Sequence, residues 1–301
     1  MGVFILIKTK KKMLPIGLSN FQEMIERNYY YVDKSLFIKE LAEDGSKILV
    51  MPRPRRFGKT LNLSMLKYFF RKDKESKRYL FKDLKIAREK EVMELQGKYP
   101  LITLSFKDVK EMDWSSCIDK MKSLISEEYN RNRYLLEEGV LDKEDKELFE
   151  TIIARKATQT DYENSLSKLM KYLYKYHGEK VIVLIDEYDM SIQAGYINGY
   201  YREVVSFMRN FLSGGLKDND YLEKSVLTGI LRVSKESIFS GLNNLEVYSL
   251  LGKKYSKWFG LEEKEVEGIL EYYNIKEEIK DIKEWYNGYI FGERIIYNPW
   301  S

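Results

Sequence analysis

Short, unbroken apolar runs alternate along the chain with longer stretches in which apolar residues recur every three or four positions. The runs are "KILVM" at 47–51, "YPLITLSF" at 99–106, "VIVLI" at 181–185 and "SVLTGIL" at 225–231. A run that is apolar on every side chain, as 181–185 is, predicts a strand buried on both faces, the condition of a central strand in a parallel sheet covered by helices. Between the runs, Leu61, Leu63, Met65, Leu66, Phe69 and Phe70 repeat at helical spacing. Residues 114–176 are predicted largely helical, with Leu166, Leu169, Met170 and Leu173 on one face and "HGEK" as the exit turn. Residues 19–45 are predicted as two short helices, the second with Asp33 as its N-cap and Gly45 as its stop. The mixed charges of 71–96 predict a solvated helical surface. Strands separated by helices call for right-handed crossovers, hence a three-layer α/β sandwich around a central parallel sheet. Beyond Ser234 the strand signal fades and 259–289 reads as short helices. The predicted organisation is a loose tail over 1–13, an α/β domain over 14–234 and a smaller, lid-like helical subdomain over 235–301.

Composition narrows the partners more than the fold. A chain of 301 residues that is 44% apolar and 14% aromatic can bury a full core. Its 51 basic and 47 acidic residues nearly balance, so a net charge of +4 argues only weakly for nucleic acid and does not call for an anionic membrane. One cysteine, Cys117, excludes an internal disulfide framework and a multi-cysteine zinc site, which fits a reducing compartment and a cytoplasmic location. One histidine, His177, excludes a histidine-rich metal centre; its place before a glycine predicts a helix-end residue, and Cys117 is predicted to be an inert buried thiol. At the start, an apolar run precedes the lysines, the reverse of a signal peptide, and Leu6 stands where a myristoylation signal needs Ser or Thr. No run of about 18 apolar residues occurs, so no membrane span is expected.

Candidate chemistry begins with "MPRPRRFGKT" at 51–60, which lies between a predicted strand and a predicted helix, the context of a phosphate-binding loop. In such a loop, backbone N–H groups turn inward around phosphate oxygens and the next helix presents its positive end. Gly58 meets the need for close backbone approach, Lys59 can reach terminal phosphates, and the Thr60 hydroxyl can ligate Mg²⁺. The usual spacing asks for glycine where Arg53 stands; ahead of Pro54 this position keeps a negative φ, so the loop is atypical at its first position and regular where phosphate binds. "GKT" by itself also fits a plain turn and helix start. "VIVLIDEYD" shifts the balance, because it puts Asp186 and Glu187 at the carboxyl end of a buried strand, where parallel sheets collect ligands and where two acids facing the core would be costly. Asp186 suits a Mg²⁺ contact and Glu187 suits a base that polarises the attacking water.

Weaker candidates follow from "LTGILRVS": Thr228 could bond the γ-phosphate or the water, and Arg232 could bring positive charge to the transition state. A buried-strand threonine and a surface arginine explain the same letters. Of Arg55 and Arg56, one is expected to touch phosphate and at least one to be solvated. "ERNYYYVDKS" offers Tyr30 or Tyr31 as a stacking partner for a base, with core tyrosines as the plainer reading. The expected nucleotide-binding stretch is Arg55, Arg56, Phe57, Gly58, Lys59, Thr60 and Leu61; the expected catalytic set is Glu187, Lys59, Thr228 and Arg232; the expected metal ligands are Thr60 and Asp186.

Taken in order, "PIGLSNF", "YYYVDKS", "RPRRFGKTLNLSML", "VIVLIDEYD", "LTGILRVSKESIFSGLNNL", "EWYNGY" and "YNPWS" resemble the predicted AAA-ATPase-like family of bacterial proteins, relatives of the AAA+ and STAND-type P-loop ATPases. The resemblance runs from about residue 14 to the end of the chain. It implies an ASCE-type P-loop NTPase fold, in which an extra strand lies between the loop strand and the acidic strand; "LITLSF" is assigned to that insertion. It implies Gly58, Lys59 and Thr60 as the Walker A core, Asp186 and Glu187 as the Walker B pair, and Thr228 at a sensor-like position. Arg53 matches the family's own variant of the loop. Members commonly continue past "YNPWS" into a PD-(D/E)XK nuclease-like domain, which these 301 residues do not include. AAA-type sites often borrow an arginine from a neighbour, so a homo-oligomer is implied, without a nominated residue.

The expected function is Mg²⁺-dependent ATP hydrolysis driving a conformational change. No Asn-Lys-x-Asp guanine reader is visible, which favours adenine. Two rivals stand beside it: a module that binds nucleotide without hydrolysing it, and an ATP-regulated protein associated with nucleic acid, supported by the +4 charge and the Lys8–Lys12 tract.

Overall fold

The computed structural model describes residues 11–137, 139–230, 238–239, 245–286 and 288–299. Five strands, β1 (Ile48–Pro52), β2 (Leu101–Ser105), β3 (Val181–Asp186), β4 (Leu222–Gly229) and β5 (Leu245–Val247), form one sheet in the order β2-β3-β4-β1-β5, with every neighbouring pair parallel. β1 and β3 are buried at every residue. Because side chains alternate across a strand, each run supplies two cores at once. Ile48, Val50, Val181, Val183 and Ile185 face one layer, and Leu49, Met51, Ile182 and Leu184 face the other. This is a P-loop NTPase sandwich of the ASCE type, with helices over both faces of a parallel sheet.

The first layer holds α5 (Trp114–Arg131), α6 (Lys143–Ile153), α7 (Gln159–His177), α8 (Met190–Asn198) and α9 (Tyr201–Leu216). The helix α7 starts on a capping box, Thr158 with Asp161, and stops at Gly178 in the left-handed conformation, as "HGEK" predicts. The opposite layer holds α1 (Phe21–Glu26), α2 (Leu36–Ala42), α3 (Lys59–Phe70) and the short α4 (Lys90–Met93).

Four expectations change in detail. The strand between the loop strand and the acidic strand is β4; "LITLSF" is β2, the far edge strand beside β3. Chain order does not fix sheet order, since a crossover can skip a position. Asp33 is not the cap of α2: Ser35 occupies that place, and the Asp33 carboxylate accepts from the backbone N–H of Ser35 (2.8 Å) and Lys85 (2.7 Å). The 71–96 stretch is short 3₁₀ turns and α4, with Leu80, Phe81, Ile86, Val92 and Met93 buried. Finally, the chain beyond 234 carries strands as well as helices. β5 completes the main sheet, and β6 (Leu261–Glu262), β7 (Tyr289–Phe291) and β8 (Arg294–Tyr297) form an antiparallel sheet in the order β6-β8-β7, beside α10 (Glu263–Tyr273) and α11 (Ile279–Trp285). These strands are too short for a periodic pattern. Their sequence signal is the Gly292–Glu293 pair between "YIF" and "RIIY", a two-residue hairpin turn with Gly292 at φ 59°.

Candidate functional site

The parallel sheet ends its strands on one edge, and the loop between β1 and α3 rises there. Gly58 has φ 78° and caps α3; a side chain there would meet no atom within 4 Å, so the backbone conformation is what requires glycine. Arg56, at φ 68°, takes the same region without being glycine. Lys59 is buried, and its Nζ donates to the loop's own carbonyls, Arg53 O (3.1 Å) and Pro54 O (3.0 Å). Burial pushes the Lys59 pKa down, opposed by the nearby charges of Glu187, Asp186 and Asp189.

The acidic strand meets this loop. Thr60 Oγ1 donates to Asp186 Oδ2 at 2.7 Å, joining segments 126 residues apart. Thr228 is buried in β4 and donates its hydroxyl to Asp186 Oδ1, so the two hydroxyls orient both oxygens of one carboxylate. Glu187 sits at φ 50°, a conformation that costs a non-glycine residue about 1–3 kcal/mol and persists where neighbours enforce it. The neighbouring residues are held in place: Tyr188 N–H donates to Thr228 O (3.1 Å), and Asp189 Oδ2 accepts from Ile230 N–H (3.0 Å) and Gln193 Nε2 (2.7 Å). Burial raises the Glu187 pKa, and the Asp186 charge raises it further against Lys59.

Gly58, Lys59, Thr60, Leu61, Arg56 and Glu187 border a cavity of about 550 Å³, within the range of small-molecule sites. Its other walls include the 14–19 segment, Tyr30 and Tyr31, and Trp258, Gly260, Ile269 and Pro299 from the C-terminal region. Tyr30 faces Tyr272 and Tyr273 of α10 at ring distances of 4.8 and 5.7 Å, while the Tyr31 hydroxyl reaches Met65 Sδ at 3.3 Å. Lys34, also on the wall, is buried and paired with Glu265.

The structure thus gathers Lys59, Thr60, Asp186, Glu187 and Thr228 at one edge. It separates others. Of the two arginines, both exposed, Arg56 borders the cavity and Arg55 does not line it. Phe57, by contrast, does line the cavity, and its ring also packs on the C-terminal sheet, 5.1 Å from the rings of Tyr289 and Phe291. Arg232 lies outside the described residues, as do Lys8 and Lys10 of the basic tract. His177 ends α7 and shares a 2.9 Å hydrogen bond with the Tyr134 hydroxyl; Cys117 is fully buried, its thiol pushed up to about 11 by burial. Sequence reasoning missed Asp189, although "DEYD" places it three residues beyond Asp186, and missed Lys34 and the 14–19 wall, whose letters carry no phosphate-site signature. No helix of the described residues is long and apolar enough to cross a membrane.

A family model described as predicted AAA-ATPase matches residues 15–239 of the chain. A curated protein of Azotobacter chroococcum mcd 1, described as an uncharacterized protein in the vnfD 5' region, is 29% identical over 294 residues, which is 97% of this chain and 51% of that protein. The chain therefore spans about half the length of the curated relative it matches. No solved structure matches it.

Proposed function

Because the chain belongs to the predicted AAA-ATPase family, we propose that it binds ATP with Mg²⁺ in the cavity beside Gly58 and hydrolyses it to drive a conformational change. The observation that carries this reading is the 2.7 Å bond between Thr60 and Asp186, which brings the phosphate loop and the acidic strand end together. Oxygen donors from a hydroxyl and a carboxylate suit Mg²⁺, which keeps several waters and needs few protein ligands beside substrate phosphates. Thr60 and Asp186 would hold the ion, and it supplies charge neutralisation at the phosphate oxygens when bound.

The chain's own residues do the rest. Loop amides up to Gly58 cradle the phosphates at the positive end of α3. Lys59 exchanges its two loop carbonyls for phosphate oxygens, which gives a buried cation a better partner than neutral dipoles. Glu187, which borders the same cavity, orients the attacking water, and Thr228 fixes the Asp186 carboxylate. Steady-state phosphate release tests the assignment: Glu187→Gln should retain ATP binding and lose about 100-fold or more in turnover. Turnover at the wild-type rate in that variant would refute the role of Glu187. Tight binding with no phosphate release in the wild type would leave a binding-only module.

A further inference from the structure

The side chain at the loop's first position points away from the phosphate cradle. Arg53 is fully buried; its Nη1 donates to Pro52 O (2.8 Å) and Tyr248 O (2.6 Å). The guanidinium lies 4.8 Å from the centre of the Phe259 ring and 5.8 Å from that of Phe291. Its Nε and Nη2 have no hydrogen-bond partner among the described residues. Burial pushes its pKa down to about 10, which leaves it charged at neutral pH. A buried cation held by carbonyls and ring faces is an expensive arrangement, and a glycine at this position could make none of these contacts.

The other end of the loop is held by the same elements. Phe57 packs on Tyr289 and Phe291, and its carbonyl accepts from Gly260 N–H at 3.1 Å. A Cβ at Gly260 would stand 2.8 Å from Phe57 Cδ1, so glycine is needed for that approach. The strip 259–260 leads directly into β6, and Phe291 ends β7. Both ends of the 53–57 segment are therefore fastened to the antiparallel sheet, and Lys59 is tied to the carbonyl of Arg53 itself.

We propose that Arg53 is a positioning residue that transmits filling of the phosphate site to the β6-β8-β7 sheet, so that this sheet responds to nucleotide and does not swing as an independent lid. The inference rests on the nucleotide reading above. A ligand shifts a conformation only through contacts that differ between states. Here the differing contacts are the two bonds from Lys59 to the carbonyls of residues 53 and 54, which are given up when Lys59 turns to phosphate. The planar guanidinium carries the adjustment to Tyr248 O and to the two rings, a role that a lysine's point charge would not fill.

Amide hydrogen exchange over 289–297, measured on the full chain with and without MgATP and paired with calorimetric binding, tests this. MgATP should slow exchange there by about tenfold in the wild type. Arg53→Met should still bind MgATP, with the slowing reduced to less than about twofold. Phe291→Leu removes the ring shared by Arg53 and Phe57 and should lose the response in the same way, so it carries the test if Arg53→Met does not fold. Wild-type binding without a change over 289–297, or a full response in a folded variant, overturns the inference alone. Failure of the wild type to bind MgATP overturns the nucleotide reading and this inference with it.

Discussion

At the scale of single residues, Asp186 is the centre of the site because each of its oxygens already has a hydroxyl partner, Thr60 on one and Thr228 on the other. Outer partners of this kind fix the orientation of a ligating carboxylate, and losing one costs about 10–100-fold in metal affinity or activity. Thr228→Val keeps the shape and removes the hydroxyl. It should lower turnover by about tenfold or more and raise the Mg²⁺ concentration needed for half-maximal rate, with folding intact by circular dichroism. An unchanged Mg²⁺ requirement would place Thr228 outside the machinery. The acids themselves were legible from "VIVLIDEYD", because adjacent carboxyls at the end of an all-apolar run have few affordable places to go. Which hydroxyl would orient them was not legible, since Thr228 comes from a strand 42 residues later in the chain. The strained φ of Glu187 was equally hidden; it is flanked by one bond to β4 and one to Ile230 just beyond that strand, which no local pattern encodes.

At the scale of elements, the contact of α7 with α9 is set by one missing side chain. A Cβ at Gly215 would lie 2.5 Å from Leu166 Cδ2, whereas at Gly214 the nearest atom is Glu163 O at 3.7 Å. Gly215→Ala should destabilise the fold by about 1–3 kcal/mol through overpacking. Gly214→Ala should be neutral or stabilising by a few tenths of a kcal/mol, since alanine is the better helix former. Thermal denaturation of the two variants side by side checks the pair, and equal melting temperatures would refute the packing argument. The same helix α7 carries a pH-dependent term at its last residue. Burial holds the His177 pKa at about 4, below its ordinary 6.5, with the Lys72 charge adding to the effect. The depressed value means that the unfolded chain binds the proton first. Stability from this group is therefore fully present above pH 6.5 and is lost as pH falls toward 4, by on the order of 2 kcal/mol. His177→Gln should flatten the stability profile over that window, and a profile as steep as the wild type's would assign the loss to carboxylates instead.

At the scale of the whole molecule, the cavity is walled by Pro299 and three longer, separated parts of the chain: the 14–34 region, the loop with the strand ends, and 258–269. Outside the cavity, the segment 40–44 is fastened to 248–258. Asp44 accepts from the Tyr248 hydroxyl (2.6 Å), the Tyr255 hydroxyl (2.7 Å) and Lys254 (2.7 Å), and these bonds hold its carboxyl well below the usual range. Glu40 accepts from Trp258 Nε1 at 2.6 Å. A ligand that touches all three walls should stabilise the molecule as a unit. Saturating MgATP is expected to raise the melting temperature by roughly 5 °C, and Lys59→Ala should abolish the rise. A shift that survives in Lys59→Ala would locate the bound nucleotide elsewhere.

The letters alone determined the parallel α/β sandwich, since unbroken apolar strands between amphipathic helices have few other ways to bury both faces. They also determined the pairing of "GKT" with "DE", because that chemistry needs fixed residue types at strand ends. Tertiary structure alone decided that β4 stands between them, that Arg53 and the Phe57 ring pack on a second sheet, and that 14–34 walls the cavity. Each of those outcomes depends on segments far apart in the chain packing against one another, and periodicity records the state of a segment without recording its neighbour.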